Sequence, residues 1–209
     1  MRKEILIMTK SAKINGFCVA GIDISNGSWI RLVSDDESGE GAVSRADLTY
    51  QNGKQAEVFD LVAVECEPAP TEAQSENHLY DADYYWSKIR TMGHEEAFAN
   101  CPISNSMFIF RNNRRSLDED EIYGESLMLV EIDNIRVKVV HEYDKKKWKA
   151  DFRCNGVHYS DINIGDIPIR NEYNDYGTYS IHGKHKAIFS LTGRYERTGK
   201  YYKMLAQLF

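Results

Sequence analysis

Apolar and polar residues alternate along much of this chain with the two-residue period of a strand. Ile135, Val137 and Val139 fall on one side and Arg136 and Lys138 on the other, the pattern of a strand with one face in a core and one in solvent. Segments 4–9, 17–24, 28–34, 58–66, 107–111, 127–142, 147–154, 157–162, 186–191 and 201–209 are rich in β-branched, aromatic or alternating residues and are predicted as strands. Three Asn-Gly pairs, Asn26-Gly27, Asn52-Gly53 and Asn155-Gly156, lie between strand-like segments. Both residue types tolerate the positive φ of a two-residue type I′ turn, so an antiparallel meander is expected. Helical periodicity is confined to about 82–100, where Tyr85, Ile89 and Met92 recur at helical spacing and Pro102 stands just beyond the end.

A chain of 209 residues accommodates two small domains. The polar segment 112–121, with Arg114, Arg115 and the acidic run 118–121, is the expected boundary, dividing the chain into 1–115 and 116–209. Each part then carries about five strands, the complement of an OB barrel. The expected fold is mainly β: two tandem OB-like antiparallel barrels, with the helix at 82–100 in the connecting region.

Composition narrows the function classes. No run approaches the roughly 18 apolar residues of a membrane span, and the apolar run 5–8 is too short for a signal peptide, so no membrane association is expected and the cytoplasm is the expected location. Cys18, Cys66, Cys101 and Cys154 form no C-x-x-C pair, which argues against a zinc site or a secreted disulfide framework; buried thiols and no cofactor are expected. The formal charge of −6 argues against indiscriminate coating of nucleic acid. The charge is uneven, however: residues 57–96 hold ten acidic side chains against Lys88 and Arg90, whereas 177–209 hold six basic ones against Glu196.

That cationic C-terminal region interleaves Tyr176, Tyr179, His182, Lys184, His185, Lys186, Arg194, Tyr195, Arg197, Lys200, Tyr201 and Lys203. Rings that stack on bases and cations that meet phosphates are what single-stranded nucleic acid requires, although a solvated basic strand face reads the same way. A second candidate joins Lys10, Ser11 and Lys13 near Arg31 to Gln74, Glu76, Asn77 and His78, which could converge on an anionic ligand. The alternative there is a structural Arg31–Glu76 ion pair pinning segment 68–81 to its barrel. Trp148, within Lys145-Lys146-Lys147-Trp148-Lys149, is a third candidate for contact with phosphate and base. Trp29 reads as core or as a stacking platform, and Trp86 as a contact of the expected helix on a barrel.

Nucleophile-elbow, Walker, zinc-helix and Rossmann patterns are missing, which favours a binding module over an enzyme. Gly39 lies in an acidic loop ill suited to cradling phosphate; Asp35, Asp36, Glu37 and Glu40 lack the spacing of a calcium loop; and His182 and His185 lack further metal ligands in evident spacing.

Particular stretches resemble a known family: Ile5-Leu6-Ile7-Met8-Thr9-Lys10-Ser11, Gly16-Phe17-Cys18-Val19-Ala20-Gly21-Ile22-Asp23, Trp29-Ile30-Arg31-Leu32-Val33-Ser34, Gln74-Ser75-Glu76-Asn77-His78, Phe152-Arg153-Cys154-Asn155-Gly156 with Tyr159, and Tyr201-Tyr202-Lys203-Met204-Leu205-Ala206. The chain is similar along nearly its whole length to the prokaryotic dual OB-containing domain family, departing at Leu32 and Gly165-Asp166. The resemblance implies two OB barrels and brings no catalytic residues with it. The leading expectation is a nucleic-acid-binding module for single-stranded or structured DNA or RNA. Beside it stand a protein-interaction or regulatory subunit with a protein partner, and a nucleotide-acting enzyme using Lys10, Arg31, Glu76 and Asn77.

Overall fold

The computed structural model describes residues 1–35 and 40–209. Strands dominate it, in two six-stranded sheets. The first contains β1 (Arg2–Lys13), β2 (Gly16–Asp23), β3 (Ser28–Val33), β4 (Asp60–Pro68), β5 (Asn77–Tyr80) and β6 (Ser87–Thr91). Its antiparallel pairs β1–β2, β2–β3, β4–β5 and β1–β4 and the parallel pair β3–β5 close a five-stranded barrel, with β6 added beside β4. The second contains β7 (Ser116–Leu117), β8 (Leu127–Glu142), β9 (Lys145–Cys154), β10 (Val157–Ile164), β11 (Gly177–Tyr195) and β12 (Lys200–Leu208). The same closure recurs: β8–β9, β9–β10, β11–β12 and β8–β11 are antiparallel and β10–β12 is parallel. Two barrels of OB type follow, as expected. Among the described residues no helix is long and apolar enough to cross a membrane.

Each barrel encloses its own core. Ile5, Ile7, Val19, Ile30, Leu32, Val62 and Val64 fill the first, where Tyr80 meets Trp86 edge to face at 5.8 Å. Val137, Val139, Phe152, Tyr159, Phe189 and Leu205 fill the second. Backbones come close in the first barrel: a Cβ at Gly21 would stand 2.0 Å from the Leu6 carbonyl oxygen, so β2 requires glycine there. The compact units are 1–71 with 75–102, and 72–74 with 103–209. They differ from the expected division at 115 over residues 72–74 and 103–115, because Ala73, Ile109 and Phe110 are buried in the second core.

One buried aspartate pins each barrel. Asp60 accepts from the Tyr50 hydroxyl at 3.0 Å and the Thr91 hydroxyl at 2.7 Å and pairs with Lys88 at 2.5 Å, fastening β6 to β4. Asp166 caps α2 (Ile167–Glu172) through the Ile169 amide at 2.8 Å and accepts the Leu208 amide at 2.7 Å, fastening that helix to β12.

The long helix expected at 82–100 is corrected to β6 followed by the short α1 (His94–Ala99). Tyr85 and Ile89 are 62% and 47% exposed while Trp86 and Met92 are buried, so the helical spacing describes no single buried face. The strand expected at 107–111 is instead a 3-10 turn, Ile109–Arg111, with Phe110 at φ 47°. Asn155 and Gly156 form the expected two-residue turn, at φ 51° and 79°. Asn26-Gly27 differs: Asp23 pairs with Ser28 across a four-residue loop, and Gly27 at φ 75° is the member of the pair with positive φ. Asn52-Gly53 turns a short loop carrying one isolated bridge, Thr49 to Gln55.

Candidate functional site

In the first barrel the register sends Ser11 of β1, Cys18 and Ala20 of β2, and Arg31 of β3 to the side of the sheet away from the core. Arg31 is buried, with Nη2 3.3 Å from Glu76 Oε1 and Nη1 donating to Cys18 Sγ at 3.1 Å. Glu76 and Asn77 are buried beside it, and Asn77 lies opposite Arg31 in the parallel β3–β5 pair. Ser11, Arg31, Glu76 and Asn77 are therefore gathered, in the form of an ion pair that joins segment 68–81 to the barrel. Lys10 is not among them: its ammonium bonds the Ala56 carbonyl at 3.0 Å and Glu57 at 2.5 Å. Gln74 belongs to the second unit, where its amide donates to the Leu191 carbonyl at 3.0 Å. Lys13 is half-buried, and burial lowers its pKa, with Arg31 adding to the lowering and Cys18 and Glu40 opposing it.

The C-terminal cations do not form one free patch. Lys200 pairs with Asp118 at 2.8 Å and Arg194 lies 3.8 Å from Glu119, so the acidic run 118–121 meets them. Tyr201 is in the core, while Tyr195 is exposed and packs edge to face on Tyr202 at 6.0 Å. Lys184 and Lys186 of β11 stand opposite Asp133 and Glu131 of β8. Lys203 is buried, donating to the Asn112 carbonyl at 2.6 Å and its Oδ1 at 3.0 Å, and burial lowers its pKa to about 7. His185 Nε2 lies 3.2 Å from the His182 carbonyl, and no cluster of metal-ligating side chains occurs among the described residues. Asp36, Glu37 and Gly39 lie outside the described residues.

Trp148 is half-buried rather than presented on a hairpin tip. Its indole donates to the Tyr173 carbonyl at 2.7 Å and carries the Arg170 guanidinium 4.4 Å from its ring centre. The tip itself is Tyr143-Asp144, a two-residue turn with φ 52° and 57° and no glycine, where Tyr143 is 83% exposed. Nearby, exposed Tyr176 lies beneath the Lys146 ammonium at 5.1 Å.

On the outer wall of β8 and β9 a different group assembles. Pairing of Val140 with Lys147, Lys138 with Lys149 and Arg136 with Asp151 places these side chains, with Arg153, on the solvent side of the barrel. Three acids beside these cations are engaged: Lys138 holds Asp151 at 2.8 Å and Asp161 at 2.6 Å, and Lys149 holds Glu142 at 2.5 Å, while Asp133 stands opposite Arg153 in the register. Arg136, Lys147 and Arg153 make no ion pair among the described residues. Sequence reasoning did not single out Arg136, Arg153 or Tyr143 as site residues; the alternation of Arg153 with Phe152 and Cys154 was the available signal for an outward cation.

The chain matches the family model described as the dual OB-containing domain over residues 3–208. No curated protein and no solved structure matches it.

Proposed function

The chain belongs to the dual OB-containing domain family, and from that premise we propose that it is a nucleic-acid-binding module whose second barrel meets the phosphate backbone with the outer wall of β8 and β9. One observation carries the reading: Arg136, Lys147 and Arg153 make no ion pair among the described residues, while Asp151, Asp161 and Glu142 beside them are neutralised by neighbouring lysines. OB folds commonly receive oligonucleotides on the face of their second and third strands, which here are β9 and β10. The wall itself offers no Phe, Tyr or Trp side chain, so phosphate contact dominates, and stacking is left to Tyr143 at the hairpin tip.

Fluorescence anisotropy with labelled single-stranded and hairpin oligonucleotides tests the reading. Micromolar or tighter binding that weakens steeply as salt rises is expected, because each neutralised phosphate releases a counterion. Absence of binding at low salt rejects it. A protein-interaction reading has its own supporting observation in β6, a strand at a sheet edge with all five residues exposed. Pairing of a partner's extended segment with that edge, together with no oligonucleotide binding, is the result that would favour it.

A further inference from the structure

Three of the four thiols are sealed from solvent. Cys66, Cys101 and Cys154 are buried, and burial pushes each thiol up, Cys101 to about 12 and Cys154 to about 11. Cys18 stands in different surroundings. It is partly exposed, its sulfur accepts a hydrogen bond from the Arg31 guanidinium at 3.1 Å, and the Lys13 ammonium is close enough to interact with both. Partly exposed thiols in electropositive surroundings are the ones that react, whereas buried structural thiols are inert.

A second, independent feature lies directly across the sheet. Ser11 of β1 is the register partner of Cys18, so the two side chains leave the sheet on the same face, with Cβ atoms about 5 Å apart. Ser11 is fully buried, and its hydroxyl has no hydrogen-bond partner among the described residues. A buried hydroxyl left unpaired costs stability, so its persistence beside a partly exposed sulfur calls for an acceptor that the reduced thiol does not supply.

We infer that Cys18 is a peroxide-reactive thiol whose surroundings form and hold a sulfenic acid. The sulfur, having given up its proton, attacks one oxygen of a hydroperoxide; the S–O bond forms as the O–O bond breaks, and the departing hydroxide or alkoxide takes up a proton. Sulfur loses two electrons and the peroxide gains them. The added oxygen supplies the acceptor that Ser11 lacks, while Arg31 is already hydrogen-bonded to the sulfur that carries it. None of this depends on nucleic-acid binding.

Peptide mass mapping of the folded full chain after brief treatment with dilute hydrogen peroxide and dimedone is the test. The adduct is expected at Cys18, with the other three thiols unlabelled. Lys13→Gln slows its formation by about threefold, the effect of removing one positive charge several ångströms away in a water-like dielectric. Ser11→Ala alkylates with iodoacetamide at the parent rate but loses its sulfenic acid faster to higher oxidation states. Adduct formation at Cys18 no faster than in the urea-unfolded chain, or labelling spread evenly over all four thiols, overturns the proposal. An unchanged sulfenic-acid lifetime in Ser11→Ala overturns the holding role of this site.

Discussion

The two barrels close their five strands in the same order yet treat the outer wall of their second and third strands in opposite ways. In the first, that wall is built from Cys18, Ala20 and Ile22 with Trp29, Arg31 and Val33; Ala20, Ile22 and Arg31 are buried, and Arg31 is consumed by Glu76. In the second, the β9 positions are Lys147, Lys149, Asp151 and Arg153: Arg153 is exposed, Lys147 and Asp151 are half-buried, and Lys149 is buried in its pair with Glu142. Topology alone therefore does not decide which wall meets a ligand. Alternate positions along one strand decide it, apolar and small in β2, charged in β9.

The strongest way to break the comparison is at Arg31. Arg31→Ala removes the ion-pair partner of the buried Glu76 carboxylate, and a loss of about 3–5 kcal/mol in urea denaturation is expected. Replacing the pair together, Arg31→Met with Glu76→Leu, removes both charges and should recover most of that loss. A stable, fully folded Arg31→Ala chain would show that the first wall is not held by this pair.

The second barrel has a buried cation of its own, without a carboxylate in direct contact. Lys203 is held by two oxygens of Asn112, with the Tyr159 ring centre 5.2 Å from its ammonium, and burial lowers it from 10.5 to about 7. Between those two values the unfolded chain binds the proton and the folded chain does not, so stability rises with pH across the window. Below about 7 both states are protonated and the fold bears the full cost of the buried charge. Lys203→Met should therefore gain on the parent as pH falls from 10 to 7, by about 3–4 kcal/mol in all. A difference between variant and parent that stays flat over this range rejects the account.

The charged wall is sharpened by the triple variant Arg136→Gln, Lys147→Gln and Arg153→Gln. Oligonucleotide affinity should fall about tenfold or more, and the slope of log affinity against log salt should flatten by about 2–3. All three side chains are solvent-facing or half-buried, and the melting temperature should hold. A parental affinity in this variant would move binding off the β8–β9 wall.

Much of the architecture was legible because strand periodicity and turn chemistry are local. The limits of the strand at 127–142 coincide with those of β8, and Asn155-Gly156 makes its two-residue turn. The Tyr143-Asp144 turn was not legible, since neither residue announces positive φ as glycine does. Tyr85, Ile89 and Met92 misled because a spacing of three to four residues also arises by chance across a loop and a short strand. The site was harder to read than the fold. Charge totals along a segment do not show what faces it from elsewhere in the chain, and the acidic run 118–121 has the composition of a boundary, although it pairs with Arg194 and Lys200.

That pairing yields the smallest expected effect and the cleanest discrimination between the two cationic regions of the second barrel. Arg194 is exposed and Lys200 half-buried, and hydrogen bonding from Lys200 is the leading reason that the Asp118 carboxyl sits below its ordinary value. Exposed pairs of this kind contribute little to stability and are screened by salt. Lys200→Gln with Arg194→Gln should leave the melting temperature at the parent value, because two partly neutralised surface cations are exchanged for neutral side chains of similar length. Oligonucleotide affinity should change far less than in the β8–β9 triple variant, since Asp118 and Glu119 already compete with phosphate for these groups. If the double variant instead loses affinity as steeply as the triple variant, the acidic run yields to nucleic acid and the binding surface extends to the β11–β12 hairpin.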